Sequence, residues 1–155
     1  MSQAWDGKTG KLQRIQKGHK GWVSDMVFIS EARVLVTSSV DGSIFVWSDK
    51  GKELQQMDFG SAVFCMAFNA KRSTLAVGGN GNITIYRVTR PDPQDLNNLG
   101  KSSYIKVDSD SLKVLKTLTT ISPHTDMIKG IVAADNGRIF SAGSALALPR
   151  CARTT

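Results

Sequence analysis

Apolar residues in this chain gather in short runs closed by glycine, aspartate, asparagine or proline, and the length of the runs suits strands. The clearest set lies between positions 18 and 58. Residues 22–29, WVSDMVFI, predict a first strand, with a turn at Glu31-Ala32. Residues 34–38 predict a second. Residues 44–47 are apolar without a break, as expected of a strand covered on both faces. Between these two, Val40-Asp41-Gly42-Ser43 predicts a tight hairpin with two positive-φ positions, which aspartate and glycine tolerate. Residues 53–57 close the set as an outer edge that carries charge.

The same pattern returns at an offset of forty residues. AVFCMAF at 62–68 aligns with WVSDMVF at 22–28, Leu75-Ala76-Val77 with the second strand, and Asn80-Gly81 with the turn. Residues 83–88 fill the third strand, with Tyr86 in the place of Trp47. Residues 90–110, with two prolines and many polar side chains, predict an extended loop before a last strand at 112–118. A third copy opens at His124, with strands expected at 127–133 and 138–144. Ahead of the complete set, Trp5-Asp6, a turn at 7–10 and an alternating strand at 11–16 read as the close of an earlier unit. The chain thus divides into the end of one unit (1–17), a complete unit (18–58), a degenerate one (59–118), the start of a third (119–144) and a tail foreign to the repeat (145–155).

Four strands in about 40 residues is the layout of one propeller blade. With Gly18-His19 at its start, Asp41-Gly42 in its turn and Trp47-Ser48 where Trp-Asp is usual, the complete unit resembles a WD40 repeat. The resemblance runs from about residue 4 to residue 144. It implies an all-β, incomplete WD40 β-propeller of about two and a half to three four-stranded antiparallel blades. It also implies that His19, Thr37, Asp41 and Trp47 form a hydrogen-bonded structural tetrad. Once water is excluded, a buried indole N–H, a hydroxyl and an imidazole each need a partner, and a carboxylate makes one link charge-assisted. In the second unit the corresponding positions hold Ala76, Asn80 and Tyr86, with Asp58 or Phe59 for the histidine. In the third, His124 alone is in place.

A histidine, an aspartate and a hydroxyl also suggest a hydrolase triad. That reading fails because no G-x-S-x-G elbow is present and Thr37 falls in mid-strand. Gly78-Gly79-Asn80-Gly81 precedes a strand rather than a helix and lacks a closing lysine, so it reads as a turn and not a phosphate cradle. Asn82-Ile83-Thr84 fits a glycosylation sequon with nothing to direct it into the secretory pathway. Two histidines and two cysteines lie scattered, so no metal set and no cofactor is expected, and no enzyme activity either.

Composition changes the picture in two respects. Hydrophobic residues make up 41% and charged residues 21%, a globular balance, and Cys65 within an apolar run suits a reducing intracellular setting. No export leader or membrane-length run is read, and the cytoplasm is favoured over the nucleus. The net charge is +7, with Lys8, Lys11, Arg14, Lys17 and Lys20 in one stretch without an acid, and Arg150 and Arg153 in the tail. Such a balance attracts nucleic acid, anionic lipid or an acidic partner, though lysines on an exposed edge account for it more simply.

The resemblance therefore implies a scaffold that binds other proteins or peptides through loops on a rigid rim. Its partner-facing positions carry over to Trp22, Ser24 and Val40, then Ala62 and Phe64, then Met127 and Lys129. Trp22 is the strongest of them, because tryptophan is enriched at interface hot spots; the alternative is that it plugs the central channel. A nucleic-acid-associated module is the other function considered. A ring needs roughly four blades or more, so the chain is expected to be marginal alone, to need other chains to complete a ring, and to be a truncated isoform of a larger protein.

Overall fold

A computed structural model describes residues 2–90 and 113–144. The described residues are all-β, without a helix. The first sheet pairs β1 (Ser2–Trp5) with β2 (Leu12–Gln16). The second is a four-stranded antiparallel meander of β3 (Val23–Ile29), β4 (Val34–Ser39), β5 (Ser43–Ser48) and β6 (Glu53–Asp58). The third repeats it with β7 (Cys65–Asn69), β8 (Thr74–Gly78), β9 (Ile83–Val88) and β10 (Leu115–Ile121). The fourth pairs β11 (Ile128–Ala133) with β12 (Ile139–Gly143). The innermost strands β3, β7 and β11 lie side by side, the arrangement of neighbouring propeller blades.

Alternation along each strand decides which neighbour it packs on. On β3, Val27 and Ile29 turn to the third sheet while Met26 and Phe28 stay exposed. On β5, Ile44 and Val46 turn to the third sheet, and Phe45 and Trp47 to the opposite face, where they stack on each other. One core cluster joins Ile29, Val34, Val36, Ile44 and Val46 to Val63, Leu75, Val77, Tyr86 and Val114. A smaller one joins Cys65, Ala76 and Ile83 to Ile128 and Ile131. Each fully buried Val, Leu or Ile contributes about 1.5–3 kcal/mol, so stacking of sheets supplies most of the stability.

Backbone links between the sheets repeat as well. Phe59 and Val63 donate to the carbonyls of Gly42 and Ser39 (2.8 and 3.1 Å). One sheet further on, His124 and Ile128 donate to those of Gly81 and Gly79 (3.4 and 3.1 Å). The starts of β7 and β11 are thereby tied to the second hairpin of the sheet before each, which brings these loops to one rim.

The β4–β5 hairpin differs from expectation. Only Gly42 has a positive φ (+85°), and its N–H donates to the Ser39 carbonyl (3.1 Å). This is a tight turn followed by one left-handed residue, which glycine takes without strain, and Asp41 stays in ordinary conformational space. Three strand limits also shift. Trp22 precedes β3, Ala62 and Phe64 precede β7, and β10 begins at Leu115 and runs to Ile121. In the first two cases Trp22 and Phe64 each keep one backbone bond to their own sheet, with Val40 and Gly78, and Val63 beside Phe64 donates to Ser39 of the sheet before. The loop expected over 90–110, apart from Arg90, and the tail over 145–155 lie outside the described residues.

Candidate functional site

Strand β4 presents Thr37 to the face that holds Phe45 and Trp47, and the loop between β2 and β3 lays His19 over them, edge-on to Phe45 (4.7 Å between ring centroids). Glycine at position 18 relieves crowding, since a Cβ there would meet the Phe45 ring at 3.0 Å and Trp47 at 3.2 Å. Four hydrogen bonds then run in one direction. The Trp47 Nε1–H donates to Thr37 Oγ1 (2.9 Å), and the Thr37 hydroxyl donates to His19 Nε2 (2.8 Å). His19 Nδ1–H donates to Ser43 Oγ (2.7 Å), and the Ser43 hydroxyl donates to Asp41 Oδ1. With a neutral imidazole protonated on Nδ1, every donor has its acceptor.

The structure brings all four expected tetrad residues together, with one correction. His19 Nδ1 is 3.9 Å from Asp41 Oδ1, and Ser43 stands between them. The reason is the turn: Asp41 is drawn toward backbone donors, accepting from Lys20 N–H (2.6 Å), Gly21 N–H (2.8 Å) and Ser43 N–H (2.8 Å). Ser43 carries a hydroxyl two residues past the turn aspartate, a signal present in the sequence but not used.

Electrostatics follow from these contacts. Partial burial works against the Asp41 charge, but the Ser43 hydroxyl and the amides of Ser43, Gly21 and Lys20 outweigh it and hold the carboxyl far below the usual range. Burial lowers the affinity of His19 for a second proton, and the Asp41 charge offsets this only in part. The His19 side chain is 1% exposed. Thr37 is fully buried, and both oxygens of Asp41 are engaged by donors. The set is arranged to hold the two loops together.

In the fourth sheet His124 Nε2 lies 2.8 Å from Ser141 Oγ. His124 thus has a partner that the sequence reading missed. Ser141 stands seventeen residues after His124, close to the eighteen between His19 and Thr37. In the third sheet Ala76 and Tyr86, at the threonine and tryptophan positions, are buried in an apolar setting.

The expected partner-facing residues lie at or near the starts of the three inner strands, except Val40, which lies in the β4–β5 turn. Trp22 is 85% exposed while its carbonyl accepts the Val40 N–H (3.0 Å). Ser24 Oγ shares a hydrogen with Ser38 Oγ (3.1 Å), and Val40 is exposed. Phe64 is half-buried and its N–H donates to the Gly78 carbonyl (2.9 Å). Met127 is half-buried with its N–H on the Asp126 carboxylate (2.7 Å), and Lys129 is exposed. Among the described residues no three His, Cys, Asp or Glu side chains cluster as metal ligands, and no helix is long and apolar enough to cross a membrane.

Comparison with known proteins agrees with this architecture. Residues 10–48 match the family described as WD domain, G-beta repeat. The match opens before β2, in the first sheet, and runs through β5, so the sequence unit is offset from the sheet by one strand. Ribosome biogenesis protein YTM1 of Candida glabrata is 25% identical over 122 residues, covering 78% of this chain and 26% of that protein. Structures of U3-55K and of the RRP9 WD40 repeats each align with a TM-score of 0.60 at 20% identity. They cover 83% of this chain and 35% and 34% of theirs. The chain spans about a quarter of the length of the YTM1 relative and about a third of the two solved chains. Repeat match, strand order and stacking together show that the chain carries a WD40 repeat over residues 10–48 and is folded as part of a β-propeller.

Proposed function

We propose that the chain is a non-catalytic scaffold that binds other proteins or peptides at the rim formed by the starts of β3, β7 and β11. One observation carries the reading: the Trp22 side chain stands 85% exposed on a backbone held at both sides. Its carbonyl is fixed by Val40, and the preceding amides of Lys20 and Gly21 by Asp41. A large apolar ring presented on a rigid loop loses little freedom on binding and suits a hot spot. On this reading the tetrad acts as a buttress, Val40, Phe64 and Met127 border the contact, and Ser24 and Lys129 supply polar groups to it. A random peptide display selected against the full chain tests it. Selected peptides should bind Trp22→Ala at least about tenfold more weakly, with an unchanged melting curve. Retention of affinity across the selected set would show that the rim is not the contact.

A second reading is nucleic-acid association. Lys8, Lys11, Lys17 and Lys20 are exposed and none is in an ion pair among the described residues, whereas Arg14 is committed to the Asp49 carbonyl. A relative named for ribosome biogenesis favours this reading, and moves the expected compartment from the cytoplasm toward the nucleus. Its test is salt: RNA binding that falls steeply with ionic strength and disappears when these four lysines are neutralised supports it.

A further inference from the structure

The first and fourth sheets carry complementary halves of one unit. β1 and β2 repeat the pairing of β5 and β6. A register shift falls between Ala4 and Trp5, as between Val46 and Trp47, and Trp5 faces Leu12 as Trp47 faces Glu53. The pair is thus a third and a fourth strand. β11 and β12 repeat β3 and β4 in the same way. The shift between Ile128 and Gly130 matches that between Val23 and Asp25. The pairs Ile131–Ser141 and Val132–Phe140 stand where Met26–Thr37 and Val27–Val36 stand. They are a first and a second strand.

The hydrogen-bonded set divides along the same line. In the second sheet the Trp47 indole donates to Thr37, and Thr37 to His19. The fourth sheet holds counterparts of the last two, Ser141 and His124, already 2.8 Å apart. The first sheet holds the indole, Trp5, which is exposed. Packing faces divide likewise. Met66 and Phe68 of β7 join Val27 and Val36 in the cluster between the second and third sheets. Their counterparts forty residues earlier, Met26 and Phe28, are 50% and 57% exposed. Val132 and Phe140, the counterparts of Val27 and Val36, are 63% and 58% exposed. Both halves of the contact are present, on faces that stay apart within one copy.

We infer that a second copy of the chain covers these faces, stacked head to tail so that β11 and β12 of each copy join β1 and β2 of the other in one four-stranded sheet. β12 then runs beside the partner's β1 in the register of β4 beside β5, with Ser141 opposite Gln3 and Ile139 opposite Trp5. The Trp5 Nε1–H meets Ser141 Oγ of the other copy, and Val132 and Phe140 cover Met26 and Phe28 of the other copy. Two copies hold four complete sheets and two joint ones. Six sheets fall within the roughly four to eight of propellers, and a head-to-tail contact that closes after two copies forms a ring rather than a filament.

Sedimentation equilibrium of the full chain tests this. The mass should be twice that of one chain, and the dissociation constant should rise at least about tenfold in Phe28→Asp and in Phe140→Asp, both exposed positions. A second measurement does not depend on those variants. In a Cys151→Ser background, with Cys65 buried, Gln3→Cys and Ser141→Cys chains mixed and oxidised should give a disulfide-linked dimer. Neither chain oxidised alone should do so. A monomer at every concentration, a mass that climbs past two chains without levelling off, unchanged dissociation in both aspartate variants, or no cross-link specific to the mixture would overturn the inference.

Discussion

Thr37 is the residue on which the hydrogen-bonded chain turns, since its single hydroxyl serves both Trp47 and His19. Thr37→Ala leaves a buried indole N–H without an acceptor and an imidazole nitrogen without a donor, and should cost about 1–3 kcal/mol in urea unfolding. Thr37→Ser, which restores the hydroxyl, should recover most of that. Acid should act on the same chain through His19, whose folded affinity for a proton is lowered by burial. The unfolded chain then takes up the proton first, so the contribution is complete above the ordinary histidine range and declines as pH falls through about 6.5. Urea midpoints should drop between about pH 7.5 and about pH 5.5 in the parent and drop less in His19→Gln. Asp41 adds a second loss at lower pH, below the ordinary carboxylate range, because its folded carboxyl is held ionised. The four tetrad residues were legible through the resemblance to a WD40 repeat, because each is a distinctive polar type at a fixed place in that unit. Ser43 was not, since serine is common in turns and its role depends on where the Asp41 oxygens point.

At the scale of the element, five hairpins among the described residues close with the same device. Arg33, Gly42, Gly51, Ser73 and Gly137 each have a positive φ (55°, 85°, 77°, 49° and 88°), and each donates to a carbonyl three residues back. Glycine occupies three of the five; Arg33 and Ser73 are residues that strain there. Ser73→Gly should therefore stabilise the β7–β8 hairpin by up to about 1 kcal/mol, measured as a higher urea midpoint. Arg33→Gly is the less informative variant, because Arg33 also pairs with Asp49 on the surface. Strands themselves were readable wherever alternation was strong: residues 83–88 were placed without error. Strand starts were not. Trp22, Ala62 and Phe64 are apolar and continue the pattern, yet the regular ladder begins after them, and Val63, between Ala62 and Phe64, bonds across to Ser39 of the sheet before. Long-range pairing of that kind leaves no mark in local residue order.

For the whole molecule, cohesion is uneven. The cluster joining the second and third sheets is larger than the one joining the third and fourth, and β4 and β5 are flanked by strands on both sides. Local opening should follow this gradient. Amide hydrogen exchange should be fastest in β11 and β12 and slowest in β4 and β5; equal protection throughout would mean that the sheets open as one.

The offset between the sequence unit and the sheet bears on how such a chain grows or shortens. Excising residues 10–48 would splice β6 directly behind β1, in the place β2 now occupies, so the junction would still carry an outer strand. Insertion of one more unit would work the same way in reverse. Gain or loss in steps of this length leaves no strand orphaned, whereas a cut made at the limits of a sheet would separate neighbours that now share one continuous backbone.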